Sequence, residues 1–265
     1  MSNKKIAIIG GGNMGFALAS SYLASQPNAS ISVSDPIQAQ RDRFKALPIN
    51  TTTDNREAVE NSDLVILAVK PQDMQSVVSE LKTNLQRQLV ISIAAGISLR
   101  NLNTWLGNQP IIRCMPNTPA LVGDGMFGLL ANEHVTKDHK EFVESVFGSA
   151  GKTVWFNSDR EIDAVTAVSG SGPAYFFYLT EAIVEAGLEL GLSATQAHEL
   201  AVQTSIGAGR MLREGHDDPA QLRKNVTSPG GTTEAALQVM NQHEVADSIK
   251  KAIRAAFNRA QELDS

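Results

Sequence analysis

The feature that most constrains this chain is a glycine cluster directly after its first apolar run. Residues 5–9 are a short β-branched stretch typical of a buried parallel strand, and a helical pattern begins at Met14. Between them lies a G-x-G-x-x-G pattern. Its first glycine permits a tight turn, its second lets a pyrophosphate approach the backbone, and its third lets the helix pack close to the strand. The predicted cofactor loop therefore consists of Gly10, Gly12, Asn13, Met14 and Gly15.

An acidic residue at the end of the second predicted strand strengthens this interpretation. Asp35 follows the strand predicted over residues 29–34, about 20 positions after the glycines. Its carboxylate either accepts hydrogen bonds from an adenosine ribose or initiates the turn at Asp35–Pro36. Arg41 and Arg43 lie nearby and offer charge to a ribose 2′-phosphate, although exposed arginines early in a helix are commonly just solvated. The residues therefore leave the choice between NADPH and NADH open.

The order of the remaining elements predicts two domains. Strands and helices alternate up to residue 157, which implies right-handed βαβ units and a mainly parallel sheet covered on both faces. From residue 158 only helices are predicted. The expected organisation is a dinucleotide-binding domain over residues 1–157 and a helical domain over residues 158–265. The predicted strands cover residues 5–9, 29–34, 64–69, 89–94, 111–114, 126–130 and 152–156.

Composition excludes several classes of protein. One cysteine, Cys114, rules out an internal disulfide framework and fits a reducing compartment. A net charge of −5 argues against general binding to nucleic acid or to an anionic membrane surface. The first apolar run is too short for a signal peptide, and no run is long enough to span a bilayer. We therefore expect a cytoplasmic protein.

A stripe of small residues marks the helix predicted after Ser193. Ala197, Ala201, Ser205 and Gly209 recur every four residues, which lets another helix approach closely. That helix belongs either to the same subunit or to a second one. Because a small domain of apolar helices has little room to bury all their faces, we favour an interlocked dimer.

Two further segments follow predicted strands and are candidates for binding. Val69, Lys70 and Pro71 end an apolar strand, and the carboxyl ends of such strands face the ligand crevice. A lysine at a strand end is as often simply exposed. Residues 113–120 carry Asn117 between two prolines, as expected either of a rigid loop beside a crevice or of a structural turn. Cys114 lies in the preceding strand, where an inert buried thiol is expected.

The segment 225–234 is the candidate anion site. Glycines leave backbone N–H groups accessible, and the helix that follows carries partial positive charge at its N-terminus. An ordinary helix cap would need one hydroxyl, whereas this corner has several beside two glycines. A second small-residue corner, residues 169–175, either borders a bound ring or merely joins two helices. The candidate residues of the anion site are Ser228, Gly230, Gly231, Thr232 and Thr233.

The histidines suggest which chemistry is absent. None of them adjoins a candidate loop closely enough to be an obvious acid or base, and no metal-ligand cluster of usual spacing occurs. Oxidation of an alcohol generally needs a strong base, whereas reduction of an already electrophilic iminium depends mainly on orientation beside the nicotinamide. The histidines are His134, His139, His198, His216 and His243.

With these motifs in place, the chain resembles the pyrroline-5-carboxylate reductase family over its whole length. The matching segments are Gly10–Gly15, Val69–Pro71, Arg113–Ala120, Val168–Tyr175 and Val226–Thr233. The resemblance implies a Rossmann-type domain, a helical dimerisation domain, and an active site between them that a second subunit completes. It also implies hydride transfer from NADPH or NADH to the ring imine carbon of 1-pyrroline-5-carboxylate, giving L-proline, and dimers that often assemble into larger rings.

The resemblance also assigns expected roles to residues. It assigns the cofactor to the glycine loop, to Val69–Pro71 and to Asn55, near the adenosine ribose. Asn117 and Pro119 border the nicotinamide. The substrate carboxylate is assigned to Ser228, Gly230, Gly231 and Thr232. Thr233 lies near the ring nitrogen. At Asp35 this sequence departs from the family, which often has a small polar residue there.

Two other functions fit parts of the sequence. A 2-hydroxy-acid or sugar-acid dehydrogenase of similar build would need a lysine or histidine acid–base residue in the helical domain. A non-catalytic redox sensor would bind a dinucleotide but would need no second anion site such as residues 228–233.

Overall fold

The computed structural model describes residues 4–215 and 217–263. Within them, eight strands form one sheet in the order β3-β2-β1-β4-β5-β6-β7-β8. The strands are β1 (Lys5–Ile9), β2 (Ser30–Ser34), β3 (Asn50–Thr52), β4 (Leu64–Leu67), β5 (Leu89–Ser92), β6 (Ile111–Met115), β7 (Gly125–Ala131) and β8 (Gly151–Phe156).

The sheet is mainly parallel, as the sequence predicted. Strands β1 to β6 pair in parallel, β7 runs antiparallel to β6, and β8 is parallel to β7. In the register, Ile9 at the end of β1 is opposite Ser34 in β2 and Leu67 in β4. The loops that follow these three strands therefore leave the same edge of the sheet. The strand order reverses between β1 and β4, which is where open α/β sheets bind their ligands.

Helices cover both faces of this sheet. Because the buried strands are apolar on both sides, alternate residues enter two cores: Ile6 and Ile8 pack on one face, and Ala7 and Ile9 on the other. The helices of this part are α1 (Asn13–Ser25), α2 (Gln38–Asp42), α3 (Asn55–Val59), α4 (Pro71–Leu81), α5 (Leu99–Leu106), α6 (Lys137–Gly148) and α7 (Asp159–Val165). A 3₁₀ turn (Thr118–Val122) and a π-helical turn (Thr166–Gly170) complete it.

The rest of the described chain is helical. Its helices are α8 (Gly172–Glu189), α9 (Ala194–Glu214), α10 (Pro219–Asn225), α11 (Thr232–Gln242) and α12 (Val245–Leu263). By internal contacts, one compact unit consists of the described residues up to Ser171 and from Ala256 onward, and the other is Gly172–Ala255. The domain boundary near residue 157 stays a prediction. None of the helices in the described chain is both long and apolar enough to cross a membrane.

The first half of the small-residue stripe of α9 packs against α8. Ala197 and Ala201 are buried, and a Cβ at Gly187 of α8 would lie 3.0 Å from the Ala197 Cβ. The hydroxyls of Thr180 in α8 and Ser205 in α9 are 3.1 Å apart. Contact between α8 and α9 therefore explains the buried part of the stripe, whereas Ser205 and Gly209 are exposed in the chain and a Cβ at Gly209 would meet no atom within 4 Å.

Two short elements were absent from the sequence prediction: β3 and α10. Each has seven residues or fewer, so periodicity has little length over which to show. The small-residue corner at residues 169–175 is also not a loop. Its first part belongs to the π-helical turn and its second part begins α8.

Candidate functional site

The glycine loop after β1 has the geometry that a bound pyrophosphate needs. Gly10 has φ of +108°, and a Cβ there would lie 2.5 Å from the Ala68 carbonyl oxygen, so only glycine fits. A Cβ at Gly15 would overlap the Gly10 carbonyl oxygen, which reflects the close approach of α1 to β1. At Gly12, in contrast, a Cβ would meet no atom within 4 Å. The side of the loop that a ligand would approach is therefore open at Gly12.

The helix that begins at this loop lacks a side-chain cap at its N-terminus. Gly12 is the N-cap of α1, and no side chain caps this end. Its backbone N–H groups and the partial positive charge of the helix are thus available to an anion. The loop fits the diphosphate of a dinucleotide on shape and on charge.

Val69, Lys70 and Pro71 lie at the neighbouring strand end. They follow β4, and the Ala68 N–H donates to the Ile9 carbonyl at 2.7 Å, which joins this turn to the glycine loop. Lys70 is the exposed N-cap of α4 and Pro71 its first residue. The predicted cofactor residues of these two loops therefore lie side by side at the point where the strand order reverses.

Asp35 forms the predicted turn and also makes a second contact, with the glycine loop. Asp35 as a whole residue is only 8% exposed. One oxygen, Oδ1, accepts the Ile37 N–H at 2.8 Å, which is the turn-forming role. The other, Oδ2, accepts the Gly11 N–H at 2.8 Å. The carboxylate thus holds two loops of the cofactor edge together through backbone donors.

Two arginines surround the same corner. The Arg41 guanidinium donates to the Asp35 carbonyl oxygen at 2.6 Å. The Arg43 guanidinium lies 4.6 Å from the Phe16 ring centre and donates a long 3.5 Å hydrogen bond to the Gly11 carbonyl oxygen. These contacts place two positive charges beside the glycine loop. The sequence alone had left open whether the two arginines are near the cofactor or simply exposed to solvent.

Asn55 lies at the start of α3, close to the end of β2. Its Oδ1 accepts the Ser34 hydroxyl at 2.8 Å, and its Nδ2 donates to Glu80 of α4 at 3.0 Å. Ser34 directly precedes Asp35 and is buried. Asn55 is therefore fixed at the strand edge that carries Asp35.

The loop after β6 is held by the side chain of Asn117. Its Oδ1 accepts the Met126 N–H at 2.8 Å, and its Nδ2 donates to the Ser169 carbonyl oxygen at 3.1 Å. Pro119 lies in the 3₁₀ turn that follows. Asn117 thus joins β7 and the π-helical turn, and its side-chain amide positions the loop.

A buried ionic cluster lies at the strand that precedes this loop. Its two carboxylates were not identified from the sequence. Arg113 in β6 is 2% exposed and contacts Asp159 at 2.6 Å and Asp163 at 2.9 Å. Asp159 also accepts the Leu99 N–H at 2.9 Å. The cluster fixes α7, and through it the π-helical turn, against β6. A buried arginine on an apolar strand was the available signal that acidic partners must exist.

In the helical unit, the predicted anion site is a turn leading into α11. Gly230 has φ of +71°, and a Cβ at Gly231 would lie 2.5 Å from the Ser228 hydroxyl oxygen. Gly231 is the N-cap of α11, which no side chain caps. Thr232 and Thr233 form the first turn of the helix. Ser228 through Thr233 therefore form one continuous corner beside an uncapped helix N-terminus.

The two glycine N–H groups of this corner already have partners. The Gly231 N–H donates to the Ser228 carbonyl oxygen at 3.0 Å, and the Gly230 N–H donates to Glu234 Oε2 at 2.7 Å. Sequence reasoning assigned no role to Glu234. An acidic residue at the third position of a helix was the signal, because such residues commonly reach back to backbone N–H groups.

Cys114 and His139 lie in environments that indicate structural roles. Cys114 is fully buried, and burial raises the pKa of its thiol well above the ordinary value, so a reactive thiolate is disfavoured. His139 caps α6 together with Thr136. His216 lies outside the described residues. Across residues 4–215 and 217–263, no group of three or more histidine, cysteine or acidic side chains is arranged to hold a metal ion.

Comparison with known proteins identifies the family of this chain. The family model described as "Pyrroline-5-carboxylate reductase dimerisation" matches residues 159–263, and the one described as "NADP oxidoreductase coenzyme F420-dependent" matches residues 5–96. A pyrroline-5-carboxylate reductase from Pseudomonas aeruginosa is 44% identical over 99% of this chain and 98% of its own length.

Solved structures agree with this. A pyrroline-5-carboxylate reductase from Coxiella burnetii has a TM-score of 0.94 at 41% identity, with both chains covered completely. A pyrroline carboxylate reductase from Plasmodium falciparum, solved with NADP bound, has a TM-score of 0.89 at 30% identity, also over all of both chains. On sequence similarity over nearly its full length, this chain belongs to the pyrroline-5-carboxylate reductase family.

Proposed function

We propose that this protein reduces 1-pyrroline-5-carboxylate to L-proline with NADPH or NADH. In this reaction the imine, the reduced nucleotide and one proton give L-proline and the oxidised nucleotide. The observation that carries the proposal is shared by two helices. Both α1 and α11 have a glycine as N-cap residue, Gly12 and Gly231 respectively, and no side chain caps either helix. These two N-termini occur at the two loops where the sequence predicts a phosphate and a carboxylate.

The cofactor would be held by the carboxyl edge of the sheet. The proposed residues are Gly10, Gly12, Asn13, Met14, Gly15, Asp35, Asn55, Val69, Lys70, Pro71, Asn117 and Pro119. The first helix turn neutralises phosphate charge, and the open side of Gly12 admits the diphosphate. When bound, NADPH or NADH supplies the hydride that reduces the C=N bond.

We propose further that the cofactor edge accepts a ribose 2′-phosphate. An acidic side chain after the second strand normally discriminates against this phosphate by charge. Here both Asp35 oxygens accept backbone N–H groups, and the guanidinium groups of Arg41 and Arg43 lie around the same corner. Positive charge therefore balances the aspartate, and NADPH is the expected preference.

The substrate carboxylate would be held at the start of α11. Its free N–H groups and the hydroxyls of Ser228 and Thr232 are the proposed donors, with the turn shaped by Gly230 and Gly231. Thr233 is the proposed catalytic residue, because its hydroxyl in the same first turn would orient the ring nitrogen by a hydrogen bond. Since a protonated imine is already electrophilic, orientation rather than a strong base is what these residues contribute.

We also propose a homodimer formed through the C-terminal helices, with assembly of dimers into a ring as the larger form. Large apolar side chains of α8 support the dimer: Phe176 and Phe177 are 67% exposed and Tyr178 is 75% exposed. Such a patch is unusual on a monomer. The cytoplasm is the proposed location, which agrees with a single buried cysteine that forms no disulfide.

The experiment that tests the function follows oxidation of NADPH and NADH by absorbance, with pyrroline-5-carboxylate or with a 2-oxo acid as the substrate. The imine alone should support turnover. Turnover of the 2-oxo acid would favour the 2-hydroxy-acid dehydrogenase, and nucleotide binding without turnover of any cyclic imine would favour the redox sensor.

A further inference from the structure

The corner that begins α11 is closed by a side chain from inside the helix. Glu234 Oε2 accepts the Gly230 N–H at 2.7 Å, and Glu234 is half-buried. The Gly231 N–H is taken by the Ser228 carbonyl at 3.0 Å. The turn therefore has two internal hydrogen bonds, one to the backbone and one to a side chain.

This arrangement differs from the capping of other helices in the chain. In α6 and α9 the N-cap side chain accepts the N–H of the third helical residue, whose side chain accepts the N-cap N–H in return. In α11 the N-cap is Gly231, which has no side chain. The third helical residue, Glu234, instead reaches one residue further back, to Gly230. The N–H groups of the first turn of α11 therefore stay available to a ligand, while a hydrogen bond still fixes the loop before the helix.

We propose that Glu234 is a positioning residue for the substrate carboxylate. The inference rests on the proposed function, which assigns this corner to that carboxylate. Two adjacent glycines have much conformational freedom to lose on binding, and Gly230 must adopt a positive φ of +71°. The hydrogen bond from Gly230 to Glu234 fixes this conformation before the substrate arrives. The acceptor oxygen of Glu234, and not its charge, performs this role.

Two variants of Glu234 distinguish the effect of its acceptor oxygen from the effect of its charge. Glu234→Ala removes the acceptor and should raise KM for pyrroline-5-carboxylate about 5- to 20-fold, with kcat changed less than about twofold. Glu234→Gln keeps an acceptor oxygen and should restore KM to within about twofold of wild type. The matched control is Gln196→Ala, which removes the equivalent capping side chain of α9 and should leave KM and kcat unchanged.

Hydrogen exchange of the Gly230 amide, measured by NMR without substrate, tests the same contact independently of activity. Exchange should accelerate about 5-fold or more in Glu234→Ala and stay near the wild-type rate in Glu234→Gln. Unchanged KM in the alanine variant, equal KM increases in both variants, or unchanged exchange in the alanine variant would each overturn the proposal. If wild type fails to reduce the imine, the proposed function fails, and the exchange rates still decide whether Glu234 anchors the loop.

Discussion

The Asp35 carboxylate accepts the N–H of Gly11 at 2.8 Å, in a position where it is almost completely buried. This bond joins the end of β2 to the middle of the glycine loop after β1. With the second bond, to the Ile37 N–H, it gives Asp35 a role in shaping the cofactor edge. A direct hydrogen bond to a ribose is not needed to explain an acidic residue here.

Replacing Asp35 by alanine should therefore weaken binding of NADPH and NADH by similar factors. The variant leaves two backbone donors without their acceptor, so the free energy of unfolding should also fall by about 1–3 kcal/mol. Fluorescence titration of both nucleotides and denaturant unfolding measure these effects. Asp42→Ala, an exposed aspartate nearby, is the control. A loss confined to NADH would show instead that Asp35 binds the ribose directly.

Arg43→Ala should raise the Kd of NADPH about 5-fold or more and leave the Kd of NADH nearly unchanged. The reason is that only NADPH carries the 2′-phosphate that a guanidinium binds strongly. Lys45→Ala is the matched control, because it removes a neighbouring charge that pairs with Asp42 and makes no contact with the glycine loop among the described residues. Equal changes for the two nucleotides would contradict the proposed phosphate contact.

Gly10 and Gly12 should respond differently to substitution by alanine. At Gly12 there is room for a Cβ and φ is −66°, so folding should be maintained within about 1 kcal/mol while nucleotide Kd rises tenfold or more. At Gly10 the positive φ and the Ala68 contact should cost about 2–3 kcal/mol of stability. Thermal unfolding and nucleotide titration of both variants measure the contrast. A Gly12→Ala protein that binds normally would remove the diphosphate from this loop.

Thr233→Ala should lower kcat/KM for pyrroline-5-carboxylate about 10- to 100-fold, which is the expected effect of losing one hydrogen bond worth roughly 1.5–3 kcal/mol. Nucleotide Kd should not change, because the residue is proposed to contact only the substrate. Thr104→Ala, an exposed helical threonine whose hydroxyl bonds only to Arg100 in the described chain, should behave as wild type. Steady-state kinetics that show no loss in Thr233→Ala would remove Thr233 from the mechanism.

Much of the fold could be predicted because the determining signals are local. The β-branched run over Lys5–Ile9, the glycines after it and the capping residue Ser193 each act within a few residues, and all three elements form as predicted. The short strand β3 could not be predicted in this way. Its residues Asn50–Thr52 are polar and form a strand only because β2 offers a free edge for pairing.

The site was predictable in position but not in its internal contacts. The strand ends and helix starts that carry Gly12, Asn117 and Thr233 follow from chain order. Which oxygen meets which N–H does not, because it depends on residues distant in sequence. Asp35 with Gly11 and Arg113 with Asp163 are separated by 24 and 50 positions, and nothing local in the chain pairs them. The local bond from Gly230 to Glu234 was not predicted either, because Glu234 passes over the N-cap residue Gly231 and accepts the N–H of the residue before it.

Reduction of a cyclic imine to an amino acid is the activity proposed for this protein. The most direct measurement incubates the enzyme with excess pyrroline-5-carboxylate and a limiting amount of NADPH, and quantifies the L-proline formed. One L-proline is expected for each NADPH oxidised, and none without enzyme. NADPH that binds but is not consumed, or is consumed without L-proline appearing, would contradict it.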